Sequence, residues 1–235
     1  MKALSRGLTT LSLFLISALL TSAQEVEFSA DMRVSSGTGQ TQTLKLFVGN
    51  MKARFDLPNQ GTDSSGIGAI LIDFDHQFIF LLIRQAKLYL QIEGSAGTPF
   101  YNGAWMFRPY SPKYPCNDWV PEPDRRGITL GCKSAGQDIL DGRQTERWDA
   151  TTPEGGYGSL WYDPQLNFIT KVSRTSKSDV QSGYELQNAK QEPLPPNLFE
   201  VPNGFRKFTL TTFADRLAGL GQWYQHSKSA RALRL

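Results

Sequence analysis

Ala69-Ile-Leu-Ile-Asp-Phe-Asp75, followed after a turn at Asp75-His76 by Gln77-Phe-Ile-Phe-Leu-Leu-Ile83, is the stretch that decides the fold of this chain. Side chains alternate along a strand, so Leu71 points to one face while Ile70 and Ile72 point to the other. Both segments are therefore apolar on both faces, whereas an antiparallel sheet usually exposes one face to water. The pattern predicts two neighbouring strands whose faces are both covered, either by the chain's own helix or loop or by a hydrophobic ligand.

Residues 1–23 have the pattern of a cleaved export signal. Lys2 and Arg6 precede an apolar run at 11–20, and Thr21-Ser-Ala23 offers small residues to a signal peptidase. The apolar run is shorter than the roughly 20 residues that span a bilayer, and no cysteine follows the cleavage site for lipid attachment. We therefore expect a periplasmic or secreted protein whose mature chain, residues 24–235, forms one domain.

The charge of the chain argues against nucleic acid as a partner. Removal of the signal takes away two of the 25 basic residues and none of the 22 acidic ones, so the net charge falls from +3 to +1. A nucleic-acid-binding domain normally carries a marked excess of basic residues. The basic residues are concentrated at 204–235, which holds six of them against one acid.

Alternating apolar and polar residues predict a mainly β domain. Residues 26–34 alternate cleanly, a hairpin across Gly49-Asn50 joins strands at 41–48 and 51–57, and a further strand covers 87–92. Four more strands are predicted at 143–151, 157–162, 166–174 and 182–189, with a turn at Asp163-Pro-Gln165. We expect Phe28, Phe55 and Phe168 to point toward the interior.

Residues 94–131 are rich in proline, glycine and aromatic residues. The prolines exclude a central strand or a long helix, and a loop of this length in a compact domain is usually functional or disordered. We predict an ordered flap, pinned by a disulfide between Cys116 and Cys132 because exported proteins meet an oxidising compartment. Trp105 of this flap is expected to contact the apolar interior; a satellite hydrophobic cluster under the loop is the alternative.

Residues 211–234 are predicted to form a C-terminal helix, because Phe213, Leu217, Leu220 and Tyr224 recur at helical spacing. Two roles are open for this helix. It docks on the sheet, or its basic residues make a peripheral contact with an anionic membrane.

No motif with catalytic, cofactor or metal chemistry stands out, so we predict a protein that is not an enzyme. Asp73, Asp75 and His76 could in principle serve acid–base chemistry, but such residues are typical of the end of a strand and the turn after it. The other histidine, His226, has no ligand spacing with the cysteines. Asp138 lies in a segment that indicates a turn feeding a strand.

The order of the predicted elements and several short motifs resemble secreted bacterial domains of unknown function related to the lipoprotein-carrier (LolA/LolB-like) superfamily. The motifs are Gly131-Cys-Lys133, Asp141-Gly-Arg143, Arg147-Trp148, Trp161-Tyr-Asp-Pro164 and Leu198-Phe-Glu-Val-Pro-Asn-Gly204. The resemblance spans nearly the whole mature chain. It implies an α+β fold: a strongly curved antiparallel half-barrel with helices in its concavity and an apolar cavity that holds acyl chains.

The resemblance also draws attention to Arg54, because lipoprotein carriers have an arginine on an early strand that helps to hold the lid. From the residues alone, Arg54 is expected to be an exposed strand residue beside an acid.

These observations predict an exported, non-catalytic protein that holds a lipid or other hydrophobic ligand in a half-barrel cavity, without a cofactor. The alternative is a cell-envelope scaffold or protein-interaction module whose core is filled by its own chain and whose partner is an envelope protein. The predicted cavity residues are Phe28, Phe55, Leu71, Phe78, Phe80, Trp105 and Phe168.

Overall fold

The computed structural model describes residues 26–36, 38–58, 66–94, 107–108, 131–151, 157–175 and 181–209. The predicted signal peptide, Trp105, Cys116 and the predicted C-terminal helix 211–234 lie outside these ranges, as does most of the flap. The described elements are one 3₁₀ helix, Pro196–Phe199, and twelve strands: β1 (Phe28–Ser35), β2 (Thr41–Gly49), β3 (Lys52–Asp56), β4 (Ile67–Asp73), β5 (Phe78–Ile83), β6 (Leu88–Glu93), β7 (Gly131–Leu140), β8 (Arg143–Thr151), β9 (Tyr157–Asp163), β10 (Phe168–Thr175), β11 (Gln181–Gln191) and β12 (Arg206–Phe208).

All twelve strands belong to one open, curved sheet in the order β12-β6-β5-β4-β3-β2-β1-β11-β10-β9-β8-β7. Strands β1 to β6 form one antiparallel meander and β7 to β11 form a second, and the pairing of β1 with β11 joins the two. The mainly β, curved fold agrees with the prediction. The sheet is not wholly antiparallel, because β12 pairs in parallel with β6.

Two turns show why the chain reverses where it does. The β2–β3 hairpin turns at Asn50 and Met51, both with positive φ, and this conformation matches the twist of the flanking strands. After β9, the buried carboxylate of Asp163 accepts hydrogen bonds from the backbone N–H of Gln165 at 2.8 Å and of Leu166 at 3.1 Å. The predicted turn at 163–165 is therefore held by its own first residue.

Two strands differ from the predictions. β7 covers Gly131–Leu140, where we expected the end of the flap and a turn, and it pairs with β8 along its length. It lies at the edge of the sheet and is largely exposed on both faces, so it lacks the apolar alternation that marks a half-buried strand. β12 is only three residues long and forms by pairing with β6. No local sequence pattern predicts this pairing.

The main core lies on one face of the sheet, which we call the core face. At its centre the rings of Phe28 in β1 and Phe168 in β10 meet edge to face, with centroids 5.2 Å apart. Such pairs stabilise a fold by about 0.5–1.5 kcal/mol beyond the contribution of the apolar area that they bury. Apolar residues of β5 and of β9 belong to the same buried cluster, so the sheet curls around this face. The cluster comprises Phe28, Ala30, Met32, Leu46, Val48, Ala53, Phe55, Ile72, Phe74, Ile79, Ala150, Leu160, Leu166, Phe168, Ile169, Val172, Tyr184 and Leu186.

Candidate functional site

Two rows of apolar residues cross the core face at right angles to the strands of the first meander. Cross-strand register links the first row as Ala30, Leu46, Phe55, Ile70, Leu81, Leu90 and Phe208, and the second as Phe28, Val48, Ala53, Ile72, Ile79 and Ile92. Neighbouring strands lie about 4.8 Å apart, so six strands cover about 24 Å. The two apolar rows therefore extend over about 24 Å of the core face.

The two rows are not equally buried along their length. The residues on β1 to β3 are buried, whereas Ile70, Leu81, Leu90, Ile92 and Phe208 toward the β12 edge are half-buried. Apolar surface therefore remains accessible at this end of the core face.

One residue of the predicted flap, Phe107, packs on the core face. Its ring centroid lies 4.8 Å from that of Phe55 on β3 and 5.4 Å from that of Tyr184 on β11. Strands β2 and β1 separate these two strands in the sheet, so Phe107 bridges the curve. Most of the predicted flap, including Trp105, lies outside the described residues, so the packing of the whole flap stays a prediction.

The core face also carries a few polar atoms. The Tyr184 hydroxyl donates to the Ile169 carbonyl at 2.9 Å, and burial raises the pKa of Tyr184 well above its usual value. Burial also lowers the pKa of the Arg174 guanidinium. Trp148 packs against the core cluster, and its indole N–H is a buried donor that has no hydrogen-bond partner among the described residues. A buried donor of this kind has a free-energy cost that a bound acceptor would relieve.

The opposite face of β4 to β6 has its own apolar cluster. Ala69, Leu71 and Leu82 form its buried centre, and the residues around it are Phe80, Tyr89, Val201 and Phe205. Val201 and Phe205 belong to residues 192–205, which leave β11 beside β1 and reach β12 beside β6. We call this segment the strap and the surface beneath it the strap face.

Hydrogen bonds hold the strap at its start, middle and end. The backbone N–H of Leu194 donates to Glu27 Oε2 at 2.7 Å, and Arg54 Nη1 donates to the Leu198 carbonyl at 2.7 Å. Where the strap joins β12, the backbone N–H of Arg206 donates to the Lys87 carbonyl at 2.9 Å. The chain itself therefore covers the strap face.

Arg54 differs from the expectation drawn from its local sequence. Its side chain is only 13% exposed and forms an ion pair with Asp56 at 2.8 Å, in addition to its bond to the strap. The prediction of an exposed strand residue was wrong, because the segment that buries Arg54 lies far away in the sequence.

The predicted cavity residues divide between the two faces. Phe28, Phe55 and Phe168 lie together in the core cluster. Leu71 and Phe80 lie on the strap face; Phe78 shares their side of β5 by strand alternation, and its ring centroid is 6.0 Å from that of Phe80. Strand alternation already separated Leu71 from Ile70 and Ile72, but nothing local indicated which side would enclose the core.

Several aromatic residues of the core face are missing from the predicted set, among them Phe74, Phe107, Trp148, Tyr184 and Phe208. The alternation of Tyr184 with Leu186 on β11 was a usable signal for Tyr184. For Phe107 the only signal was its aromatic character, because its position depends on the path of the flap.

The acidic residues considered for chemistry have structural partners. His76 Nδ1 lies 3.0 Å from Asp73, on one turn, with the histidine side chain exposed. Burial opposes the ionisation of Asp73, but hydrogen bonds from His76 and the charge of Lys52 bring its pKa below the usual value. Asp75 is an exposed turn residue, and within the described ranges no three His, Cys, Asp or Glu side chains are grouped to hold a metal.

Asp138 and Glu146 lie on the adjacent strands β7 and β8 and do not form a carboxylate pair. Asp138 Oδ2 accepts the indole N–H of Trp161 at 3.1 Å, and this bond lowers the pKa of Asp138. In the ladder, Glu146 is opposite Gln137, one residue before Asp138, so strand alternation directs the two carboxylates to opposite faces.

Comparison with known proteins gives matches of fold only. No protein-family model matches the chain, and no curated protein matches it. Among solved structures, an uncharacterized conserved protein from Thermus thermophilus shares 7% identity at a TM-score of 0.49, covering 78% of this chain and 90% of that one. A LolA superfamily protein from Nitrosomonas europaea shares 10% identity at a TM-score of 0.32, covering 75% and 90%.

The MucA/MucB complex from Pseudomonas aeruginosa is also similar, with 11% identity and a TM-score of 0.44 over 74% of this chain. The match covers 56% of that chain, so this protein spans little more than half of its length. A LolA superfamily protein is among the solved structures similar to this chain. At these identities and TM-scores the similarity decides neither the family nor the function.

Two further predictions concern the cysteines and the membrane. Cys132 packs against the core cluster, but Cys116 lies outside the described residues, so the disulfide between them stays a prediction. Among the helices that the structure describes, none is long and apolar enough to cross a membrane.

Proposed function

We propose that this protein is an exported, non-catalytic binding protein that holds a lipid or another hydrophobic molecule against the core face. The observation that carries the proposal is the pair of apolar rows, which run across six strands and end in half-buried residues near β12. The strap already covers the other apolar face of the same strands. The half-buried end of the core face is therefore a surface on which a hydrophobic ligand gains by leaving water.

Two further features support an amphiphilic ligand. Phe107 packs across Phe55 and Tyr184 and, together with them, would cover an apolar chain lying in the curve of the sheet. The indole N–H of Trp148 is a donor available to a polar group of the ligand. A site that is mostly apolar with a few polar groups is typical of small-molecule binding.

The test is lipid mass spectrometry on an organic extract of the protein purified from cells. Ile70→Asn places an amide in the first apolar row and is expected to lower the lipid bound per protein about fivefold or more, because an amide facing an apolar ligand is costly. Ile139→Asn makes the same chemical change at a residue that is 72% exposed on β7, and it should leave the lipid content unchanged. Wild-type protein without extractable lipid, or equal losses in both variants, would contradict the proposal.

A second candidate function is an envelope protein-interaction module whose core is filled by its own chain. The observation that favours it is β7, a ten-residue strand at the sheet edge with the exposed Ile139. Edge strands of this kind can accept a further strand from a partner. Recovery of one stable partner by an affinity-tagged protein would favour this function if the partner is lost in Ile139→Asn and the purified protein carries no extractable lipid.

A further inference from the structure

Four basic residues lie at one corner of the sheet. Arg84 and Lys87 begin and end the turn between β5 and β6, and Arg206 and Lys207 open β12 beside it. The hydrogen bond from Arg206 N to the Lys87 carbonyl, 2.9 Å long, fixes the two segments next to each other. We call these four residues the basic corner.

Little negative charge compensates the basic corner. Arg84 pairs with Asp56 at 2.7 Å, and Lys207 Nζ donates to the neutral side chain of Gln91 at 2.8 Å. Lys87 and Arg206 are exposed and form no ion pair with a described residue. Among the neighbouring acids, Asp56 is already shared with Arg54, and Glu200 of the strap is exposed.

Several cations elsewhere on the sheet surface are paired with acids. Lys45 pairs with Asp31 at 3.1 Å, Lys171 with Glu185 at 2.9 Å and Arg147 with Asp149 at 3.1 Å. The basic corner is thus a local excess of positive charge in a protein whose predicted mature form has a net charge of only +1.

Apolar residues flank the basic corner. Phe205, before Arg206, packs on the strap face, and Phe208, after Lys207, lies on the core face; both rings are half-buried. Phe208 is opposite Leu90, at the end of the first apolar row. A surface that combines basic and aromatic residues is typical of proteins that lie at an anionic membrane interface.

The chain continues from this corner into residues 210–235. These residues contain four further basic residues and one acid. Their charge has the same sign as that of the corner from which they depart.

We infer that the basic corner docks the protein on the surface of an anionic phospholipid bilayer. The half-buried end of the core face is then next to the membrane, where hydrophobic molecules are available. Docking depends on the four cations and their flanking rings, and it does not require that the core face holds a lipid.

The experiment measures co-sedimentation of the full mature chain with two kinds of vesicle, pure phosphatidylcholine and an equal mixture of phosphatidylcholine and phosphatidylglycerol. The wild-type protein is expected to bind the anionic vesicles and to lose binding as sodium chloride rises, because salt screens the attraction. Each basic residue near an anionic surface contributes about a fivefold change in affinity, so Lys87→Gln/Arg206→Gln should weaken binding about 25-fold.

The charge-matched control is Lys133→Gln/Lys190→Gln, which removes two exposed cations from β7 and β11 and should change the affinity less than about fivefold. A third variant replaces the four basic residues of 210–235 with glutamine. If it alone abolishes binding while the corner variant binds as the wild type does, the inference is wrong. Equal losses in the corner and control variants, or wild-type retention on polyglutamate resin without vesicle binding, would overturn it as well.

Discussion

Replacement of Arg54 by alanine tests whether the strap is held by the contacts described above. Arg54 Nη1 donates to the Leu198 carbonyl at 2.7 Å, and Arg54 Nε donates to Asp56 at 2.8 Å. The alanine variant loses both bonds and leaves the Leu198 carbonyl without this donor. We expect the strap to detach from the strap face more readily.

The magnitude follows from the two contacts. A hydrogen bond to a charged group contributes about 1.5–3 kcal/mol. The ion pair with Asp56 adds little, because Asp56 is partly exposed and keeps Arg84 as a partner. We therefore expect a loss of about 2–3 kcal/mol, which raises the opening equilibrium of the strap about 30- to 150-fold.

Native-state hydrogen exchange measures this opening directly. The amides of Leu198, Glu200 and Phe205 donate to carbonyls within the strap, at 2.9, 3.3 and 3.2 Å, and they report on its attachment. Arg33→Ala is the matched control, because Arg33 is exposed on β1 and forms no ion pair with a described residue. In that variant, exchange in the strap should equal that of the wild type.

The result that would refute the reasoning is unchanged exchange at these three amides in Arg54→Ala. Acceleration of the same size throughout β9 and β10 would also refute it, because Arg54 would then stabilise the whole sheet rather than the strap. Arg54→Lys keeps the charge but loses the fork of donors, so its exchange should lie between those of the wild type and the alanine variant.

Three further outcomes are expected. Asp163→Ala leaves Arg143 without its buried partner and removes the acceptor of the turn, so urea unfolding should show a loss of about 3–5 kcal/mol; a loss below about 1 kcal/mol would contradict this role. Phe168→Ala opens a cavity beside Phe28 and should lower the unfolding free energy by about 3–5 kcal/mol in the same assay. A change near zero would contradict the position of Phe168 at the centre of the core. Hydrogen bonding holds the pKa of Asp149 below its usual value, with the Ser159 hydroxyl as the main donor. Its contribution to stability is therefore complete above the unfolded-state pKa of about 3.9 and is lost as the pH falls through the lower folded-state pKa. Measured by urea unfolding across this acid range, the unfolding free energy should fall less steeply with decreasing pH for Asp149→Asn than for the wild type. Identical slopes for the two proteins would show that Asp149 is not stabilised in this way.

The strands with local apolar alternation could be predicted from the sequence. β1 to β6 and β8 to β11 are found close to their expected ranges, because the alternation of side chains is a property of a strand by itself. β7 and β12 were missed for a physical reason. An exposed edge strand such as β7 needs no apolar face, and β12 exists only because the chain arrives beside β6.

The candidate site was predicted less completely than the fold. Phe28, Phe55 and Phe168 were expected to meet in the interior, and they do. Leu71 and Phe80 were assigned to the same cavity but lie on the strap face. Both sides of β4 and β5 are equally apolar, so composition alone could not show which side the curl of the sheet would enclose.

The stretch from Ala69 to Ile83 therefore separates what sequence determines from what folding decides. Its alternation requires that both faces of β4 and β5 be covered, because apolar surface on either side is unfavourable in water. Only the tertiary structure shows that the strap covers one face and that the curved sheet encloses the other. The decisive contact joins Arg54 to Leu198, 144 residues apart in the chain, and a local pattern cannot specify a partner at that distance.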